Sequence, residues 1–216
     1  YYICGFVNFT LQHAQIYPFM DWFETSTYFY RHYLPELLHR LRPFESKYRA
    51  FDILLGRKKQ HRDFVYEAVR RDPAVGICTY FNDEATNFSQ DPNQWRWELE
   101  GMVMHNVPAW TIDHVDYYGH NMSVSQIIPM NVYNQTAYSV VAETCWQNDF
   151  AFFTEKTVKP IIAKRLFVMF AGRGYLANLK RLGFKTFSDI IDESYDDELD
   201  DLVRWAKAWR QVKWLS

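Results

Sequence analysis

Two short stretches of the chain carry charged side chains in patterns that suit the binding of an anion. The first is GRKKQHRD at 56–63, which places four Lys or Arg residues and a His where a helix is predicted to begin. Helix N-termini attract phosphate, and arginine can donate two parallel hydrogen bonds to it. Arg57 and Arg62 are therefore candidate phosphate ligands, with Arg62 favoured because it falls in the first helical turn. A solvated basic loop is the alternative explanation.

The second stretch is FFTEKTVKP at 152–160, in which Thr154 is a predicted N-cap and Glu155 suits the first helical turn. Lys156 is electrostatically misplaced there, because a helix N-terminus disfavours positive charge. A bound anion would remove that conflict. Glu155 could accept hydrogen bonds from sugar hydroxyls while Lys156 contacts phosphate, and a nucleotide sugar presents both groups. The alternative is a capped helix with a surface lysine.

Three further features lie at predicted strand or helix ends. Glu143 ends an apolar strand, where its carboxylate could accept hydrogen bonds from ligand hydroxyls or could cap a neighbouring turn. The glycines of GRG at 172–174 could let the backbone approach a ligand. The acidic run DESYDDELDD at 192–201 is predicted to be the solvated start of a helix rather than a metal site. The sequence contains no P-loop, dinucleotide-binding or zinc-protease motif.

The elements that must position these residues alternate between strand and helix from residue 48 onward. This alternation predicts an α/β, Rossmann-like domain, in which ligands bind beyond the carboxyl ends of the strands. A long polar connection at 82–135 is expected to include some helix around 95–103. The predicted strands are 48–56, 75–81, 137–146 and 166–172, and the predicted helices are 63–71, 154–165, 175–184 and 194–214.

Bulk composition excludes several classes of protein. The net charge of −2 gives no reason to expect a nucleic-acid partner, and no apolar run approaches the length of a membrane span. Cys4, Cys78 and Cys145 are widely spaced and form no C-x-x-C pair, so neither a disulfide framework nor a zinc site is expected. These features predict a cytoplasmic protein.

Residues 140–187, VVAETCWQNDFAFFTEKTVKPIIAKRLFVMFAGRGYLANLKRLGFKTF, resemble the donor-binding half of GT-B-fold glycosyltransferases. They look most like the α-1,3-fucosyltransferase type, and the stretch LGFKTFSDIIDESYD is similar to glycosyltransferase-like proteins of phages and marine microbes. The resemblance implies a Rossmann-like nucleotide-sugar-binding domain of a GT-B glycosyltransferase with a short or truncated N-terminal region. We therefore expect an acceptor-side region at 1–47, a donor-binding domain at 48–200 and a C-terminal helix at 201–216.

The same resemblance implies sugar transfer from a nucleotide-diphosphate donor, with a GDP-sugar favoured, to a hydroxyl acceptor, without a metal or other cofactor. A general base would come from the acceptor side, where Glu24, Asp21 and His13 are the candidates. The alternative function is a non-catalytic structural or binding module on a degenerate glycosyltransferase fold. For either function, the expected partners include a missing N-terminal domain or a separate protein.

Overall fold

The structure is a computed structural model, and the residues that it describes fall into twelve segments. These are 2–4, 6–7, 17–19, 21–32, 35–42, 45–71, 75–81, 102–103, 114–117, 119–123, 126–148 and 150–216. The strands are β1 (Tyr2–Cys4), β2 (Phe6–Val7), β3 (Tyr17–Phe19), β4 (Arg49–Arg57), β5 (Gly76–Phe81), β6 (Met102–Val103), β7 (His114–Tyr117), β8 (His120–Ser123), β9 (Thr136–Ala142), β10 (Phe150–Ala151) and β11 (Phe167–Phe170). The α-helices are α1 (Asp21–His32), α2 (Gln60–Arg70), α3 (Met130–Gln135), α4 (Glu155–Ile162), α5 (Tyr175–Arg181) and α6 (Asp201–Leu215).

The central feature is a four-stranded parallel sheet in the order β11-β9-β4-β5. Its strands are the four apolar runs predicted from the sequence, so the α/β fold with a parallel sheet flanked by helices is confirmed. Helix α2 connects β4 to its neighbour β5, and α4 connects β9 to its neighbour β11. The chain thus moves outward in opposite directions from the β4–β9 pair, which makes that pair the topological switch point of the sheet.

Helices cover both faces of this sheet. On one face Trp209 of α6 packs edge-on against Phe51 of β4, and Trp205 of α6 packs against Phe64 of α2. Side chains of adjacent strand residues point to opposite faces, so Asp52 points to the other face. There it meets the residues that follow α4, and α1 packs on α4.

The N-terminal region packs on the domain that follows it. Strand β2 pairs antiparallel with β10, which lies in the connection between β9 and α4. A second apolar cluster joins Tyr30 of α1 to Tyr117 and Met122 of the β7–β8 hairpin. The division into an acceptor-side region at 1–47 and a donor-binding domain at 48–200 stays a prediction. The predicted helix around 95–103 is wrong at Met102–Val103, which form a strand, and its other residues lie outside the described segments.

Helices α5 and α4 are each followed by a residue in the left-handed conformation. Gly183 follows α5 with a φ of 90°, the left-handed conformation expected of the predicted C-terminal glycine. At the end of α4 the amide of Arg165 donates to the carbonyl of Pro160, and that of Lys164 donates to the carbonyl of Ile161. Lys164 takes the left-handed position with a φ of 54°. This C-terminal turn directs Arg165 back into the protein.

The last helix begins later than predicted. Residues Glu193–Asp197 form a separate 3-10 turn, and α6 starts only at Asp201, with Asp200 as its N-cap. The expectation of a solvated acidic helix start is wrong for Asp196, which is buried and accepts from the amides of Leu176 and Ala177 at 2.9 Å each. The Asp196 carboxylate thus satisfies the first amides of α5. This role holds Asp196 at the start of α5 and keeps it out of α6.

Candidate functional site at the switch point

Glu143, the residue after β9, organises the switch point. It is fully buried, and one carboxylate oxygen accepts from the amide of Thr154 at 3.0 Å and from the hydroxyls of Thr157 and Tyr175 at 2.8 and 3.0 Å. The other oxygen accepts from the amide of Thr144 and the hydroxyl of Thr154, each at 2.7 Å. Of the two roles left open by the sequence, Glu143 takes that of a cap. This turn also ends β9 at Ala142, four residues before the predicted strand end.

Arg62 bridges the ends of the two strands at the switch point. It is the third residue of α2 and is 3% exposed. Its Nη2 donates to the carbonyls of Glu143 at 3.2 Å and of Ala142 at 3.5 Å. Its Nη1 lies close to Gly56, and a Cβ added to that glycine would be 3.4 Å from Nη1. Burial lowers the pKa of Arg62, and the carboxylates of Glu143 and Glu155 offset part of that effect.

Lys59 and Lys156, at the starts of two different helices, both contact Thr144. Lys59, the N-cap residue of α2, donates from Nζ to the carbonyl of Thr144 at 2.6 Å. Lys156, in the first turn of α4, donates to the hydroxyl of Thr144 at 3.2 Å. Burial lowers the pKa of Lys59, and repulsion from Arg62 and Lys156 lowers it further. We call Lys59, Arg62 and Lys156 the cation cluster.

A neutral histidine lies beside the cation cluster. His61 is fully buried, and its Nε2 donates to the carbonyl of Glu143 at 2.7 Å, so Nδ1 is left as a bare acceptor. Burial, followed by repulsion from the cation cluster, lowers the pKa of His61 to about 3. Its ring stacks on Trp146 at 5.0 Å between centroids, and Lys59 Nζ lies 5.5 Å from the centre of the Trp146 ring.

Glu155 and Lys156, the adjacent acid and base at the start of α4, pair with each other. Lys156 Nζ lies 2.5 Å from Glu155 Oε1, with the Glu155 side chain 6% and the Lys156 side chain 24% exposed. Burial alone would raise the pKa of Glu155, but Lys156 and then Lys159 bring it below the ordinary value. Thr154 is the predicted N-cap, and its hydroxyl accepts from the Lys156 amide at 3.3 Å. The electrostatic conflict of Lys156 with the helix N-terminus is thus relieved within the chain.

The structure brings together four of the five predicted donor-binding residues: Arg62, Glu143, Glu155 and Lys156. Arg57 is the last residue of β4, so its backbone lies at the same edge of the sheet; its side chain is outside the description. Sequence reasoning missed Lys59, His61 and Trp146. Lys59 and His61 lie in the basic turn already singled out, and the aromatic Trp146 follows Glu143 by three residues.

Of the three candidate general bases, only the side chain of Glu24 is described. Glu24 is exposed on α1. Asp21 begins α1, and only its backbone is described. His13 lies outside the described residues. The roles of all three stay predictions.

The GRG segment has a structural role within the chain. A Cβ at Gly172 would clash with the carbonyl oxygen of Gln147, because the loop after β9 crosses directly over this glycine. Gly174 precedes α5 with a φ of 75°. At Gly172 the close approach is between two loops of the chain, and the approach of the GRG backbone to a ligand stays a prediction.

The described residues form neither a cluster of metal ligands nor a membrane-spanning helix. Among them, no three His, Cys, Asp or Glu side chains are grouped as a metal site requires. No helix in the described part of the chain combines the length and apolar character needed to cross a bilayer.

The comparisons with known proteins produced no match. A scan against protein-family models, a search of curated proteins and a search of solved structures each found nothing similar to this chain.

Proposed function

We propose that the protein is a glycosyltransferase that binds the diphosphate of a nucleotide-sugar donor at the cation cluster. The observation that carries this proposal is the convergence of Lys59, Arg62 and Lys156 on one turn at the switch point of a parallel sheet. Lys59 and Arg62 come from the start of α2 and Lys156 comes from the start of α4, and Lys59 contacts Thr144, which lies 85 residues further along the chain. Ligands of open α/β sheets bind at this place.

The chemistry of sugar transfer suits such a cluster. The bond between the anomeric carbon and a phosphate oxygen breaks, and the nucleoside diphosphate leaves with the electron pair. A new bond joins the anomeric carbon to the acceptor oxygen, whose proton passes to a base. Cations that are already in place stabilise the negative charge that develops on the leaving diphosphate. A GDP-sugar donor is the form favoured by the resemblance to α-1,3-fucosyltransferases.

Lys156, whose side chain is 24% exposed, is the member best placed to change partners. In the structure it is held by Glu155 and by the hydroxyls of Thr144 and Thr154. A diphosphate would take over the ammonium group, and the Glu155 carboxylate would then accept hydrogen bonds from ribose or sugar hydroxyls. Donor binding would thus replace the Glu155–Lys156 ion pair with contacts from both side chains to the donor.

Ligand-dependent melting tests the proposal directly. A nucleoside diphosphate or nucleotide sugar at 100 times its Kd should stabilise the fold by about 2.7 kcal/mol. At the same ligand concentration, Lys156→Met and Arg62→Met should reduce that gain to about 1.4 kcal/mol or less, as a tenfold loss of affinity requires, whereas Lys58→Met should keep it. Lys58 is an exposed lysine next to Lys59 and is the matched control. If GDP, UDP, ADP and CDP with their sugars all leave the Tm unchanged, the proposal is wrong.

A non-catalytic module is the second candidate function, because the site is largely satisfied within the chain. Glu143 accepts five hydrogen bonds from its own surroundings, and Glu155 pairs with Lys156. Such a module would bind no nucleotide sugar. An enzyme would bind one and would release free nucleoside diphosphate when acceptor, or water in its place, is supplied. Release of nucleoside diphosphate by wild type but not by Lys156→Met separates the two functions.

A further inference from the structure

The outer face of α6 is unusually apolar for a solvent-facing helix. Among the described residues, eight large apolar side chains are strongly exposed, and four of them lie between 199 and 214. They are Leu199, Leu202, Val203 and Trp214, which are 64%, 63%, 43% and 67% exposed. Positions that are three, four or seven residues apart share one side of a helix, so Leu202, Val203 and Ala206 continue toward Arg210, Lys213 and Trp214 as one stripe, and Leu199 lies just before the start of this helix. Exposed large apolar side chains that are grouped in this way and bordered by charged residues commonly mark an interaction site.

Charge is distributed along this stripe with a clear polarity. The apolar residues at its beginning are flanked by the exposed carboxylates of Asp197 and Asp200. Trp214 at its end is flanked by the exposed cations Arg210 and Lys213. The two ends of the stripe are therefore complementary to each other in charge, and each end carries an apolar anchor.

We propose that α6 pairs antiparallel with α6 of a second copy of this chain. In that arrangement Leu202 of each copy lies near Trp214 of the other, and the acidic end of each helix meets the basic end of its partner. A two-fold axis near the middle of the helix makes the surface complementary to itself, as symmetric dimers require. The helix dipoles also run in opposite directions, which is favourable. This inference does not depend on the proposed sugar transfer.

The interface is small. A helix of 15 residues is about 22 Å long, and a single pair of such helices falls in the class of weak, reversible associations. Sedimentation equilibrium of the 216-residue chain at roughly 300 µM should give a mass approaching twice 26.0 kDa, with dissociation on dilution to about 1 µM. A wild-type chain that stays monomeric at the higher concentration overturns the proposal.

Two substitutions test the location of the interface. Leu202→Glu and Trp214→Lys change exposed side chains, so both variants should fold with an unchanged circular dichroism spectrum and should sediment as monomers. Tyr28→Glu is the matched control, because Tyr28 is 54% exposed on α1, at the opposite face of the sheet. That variant should dimerise like wild type. Dimerisation of Leu202→Glu and Trp214→Lys at the wild-type level contradicts the proposal.

A mixture of these two variants tests the antiparallel orientation. In an antiparallel pair of one Leu202→Glu chain with one Trp214→Lys chain, one contact is the native Leu202–Trp214 pair and the other joins the new glutamate to the new lysine. The mixture should therefore recover dimer that neither variant forms alone. A parallel pairing would place each altered residue opposite the native residue of the same number. A mixture that remains monomeric overturns the antiparallel pairing.

Discussion

At the amino end of the central sheet the Asp52 carboxylate meets the Arg165 guanidinium at 2.6 Å, whereas at the carboxyl end three cations share a turn with two carboxylates. The amino-end pair is fully enclosed in its own chain. Thr136 and Ser139 hydroxyls donate to Asp52, and Arg165 also donates to the carbonyls of Tyr133 and Thr136. Each charge there has a fixed partner of the opposite sign.

The carboxyl end is arranged differently. Glu143 is held by neutral amides and hydroxyls, while Lys59 and Arg62 donate to backbone carbonyls. Carbonyl oxygens satisfy the donors but do not cancel the positive charge, so the cations repel one another. The amino-end arrangement serves stability, and the carboxyl-end arrangement is the one expected of a site that gains its remaining negative charge from a ligand. Stability measurements on matched variants distinguish these two roles.

The largest effect is expected from breaking the Asp52–Arg165 pair. Asp52→Ala leaves a buried guanidinium without its carboxylate, and Arg165→Met leaves a buried carboxylate without its cation. Each should lower the free energy of unfolding by about 3–5 kcal/mol. Urea unfolding followed by circular dichroism measures this loss.

The double variant Asp52→Leu/Arg165→Met is the control for that measurement. It removes both charges together, so it should recover much of the stability lost in either single variant. A loss below about 1 kcal/mol in both single variants would show that the pair is not the stabilising element that we describe.

At the carboxyl end, Glu143→Gln should cost about 2–3 kcal/mol of unfolding free energy, because hydrogen bonds to a charged acceptor are stronger than those to a neutral one. The amide nitrogen of glutamine would also face donors such as the Thr154 amide. Thermal and urea unfolding measure the loss. Thr157→Val removes one of the five donors and should cost less than Glu143→Gln; the reverse order would contradict the capping role of Glu143.

The strands of the central sheet were predictable because each is a short apolar run that ends near a glycine or a charged turn. Arg62 and Lys156 were each predicted as phosphate ligands, and their meeting was predictable because the carboxyl ends of parallel strands share one edge. Lys59 and His61 were missed because a turn with five basic residues does not reveal which of them face the sheet. That choice depends on the helical register of α2 and on the position of Thr144.

The amino-end network was beyond local pattern reasoning. Asp52 was visible as a lone charge inside an apolar strand, and a buried charge requires a partner. Its partner Arg165 lies 113 residues away and is turned inward by the left-handed Lys164. The prediction that residues 192–201 form the solvated start of the last helix was wrong for a related reason. The first amides of α5 need an acceptor, and this need outweighed the tendency of the acidic run to extend α6.

The neutral state of His61 makes the carboxyl end sensitive to acid. Its folded pKa of about 3 lies below the unfolded value of about 6.5. The unfolded chain therefore binds a proton first as the pH falls. The stability contributed by neutral His61 is fully present above pH 6.5 and is lost progressively as the pH falls toward 3, with a slope of up to about 1.4 kcal/mol per pH unit.

Comparison of wild type with His61→Gln between pH 6.5 and 5 isolates this slope, because most carboxylates stay ionised there. The glutamine side chain can keep the hydrogen bond to the Glu143 carbonyl but does not titrate. The unfolding free energy of wild type should fall through this range, and that of His61→Gln should change much less. Equal slopes in the two proteins would mean that His61 is protonated in the fold.

Removing a lysine of the cation cluster is expected to affect nucleoside diphosphate binding more than it affects stability. Lys59→Met removes a cation that is repelled by its neighbours, and the contact that it loses is to a neutral carbonyl, so its unfolding free energy should change by less than about 1 kcal/mol in either direction. Lys156→Met leaves the buried Glu155 carboxylate without its cation, so it should cost more stability than Lys59→Met does. Nucleoside diphosphate affinity should fall at least tenfold, because each variant loses a charge-assisted phosphate contact. Urea unfolding and isothermal titration calorimetry on the same preparations measure both quantities, with Lys58→Met as the control. If Lys59→Met instead lowers stability as much as Asp52→Ala does, the cation cluster serves the fold, and the contrast between the two ends of the sheet fails.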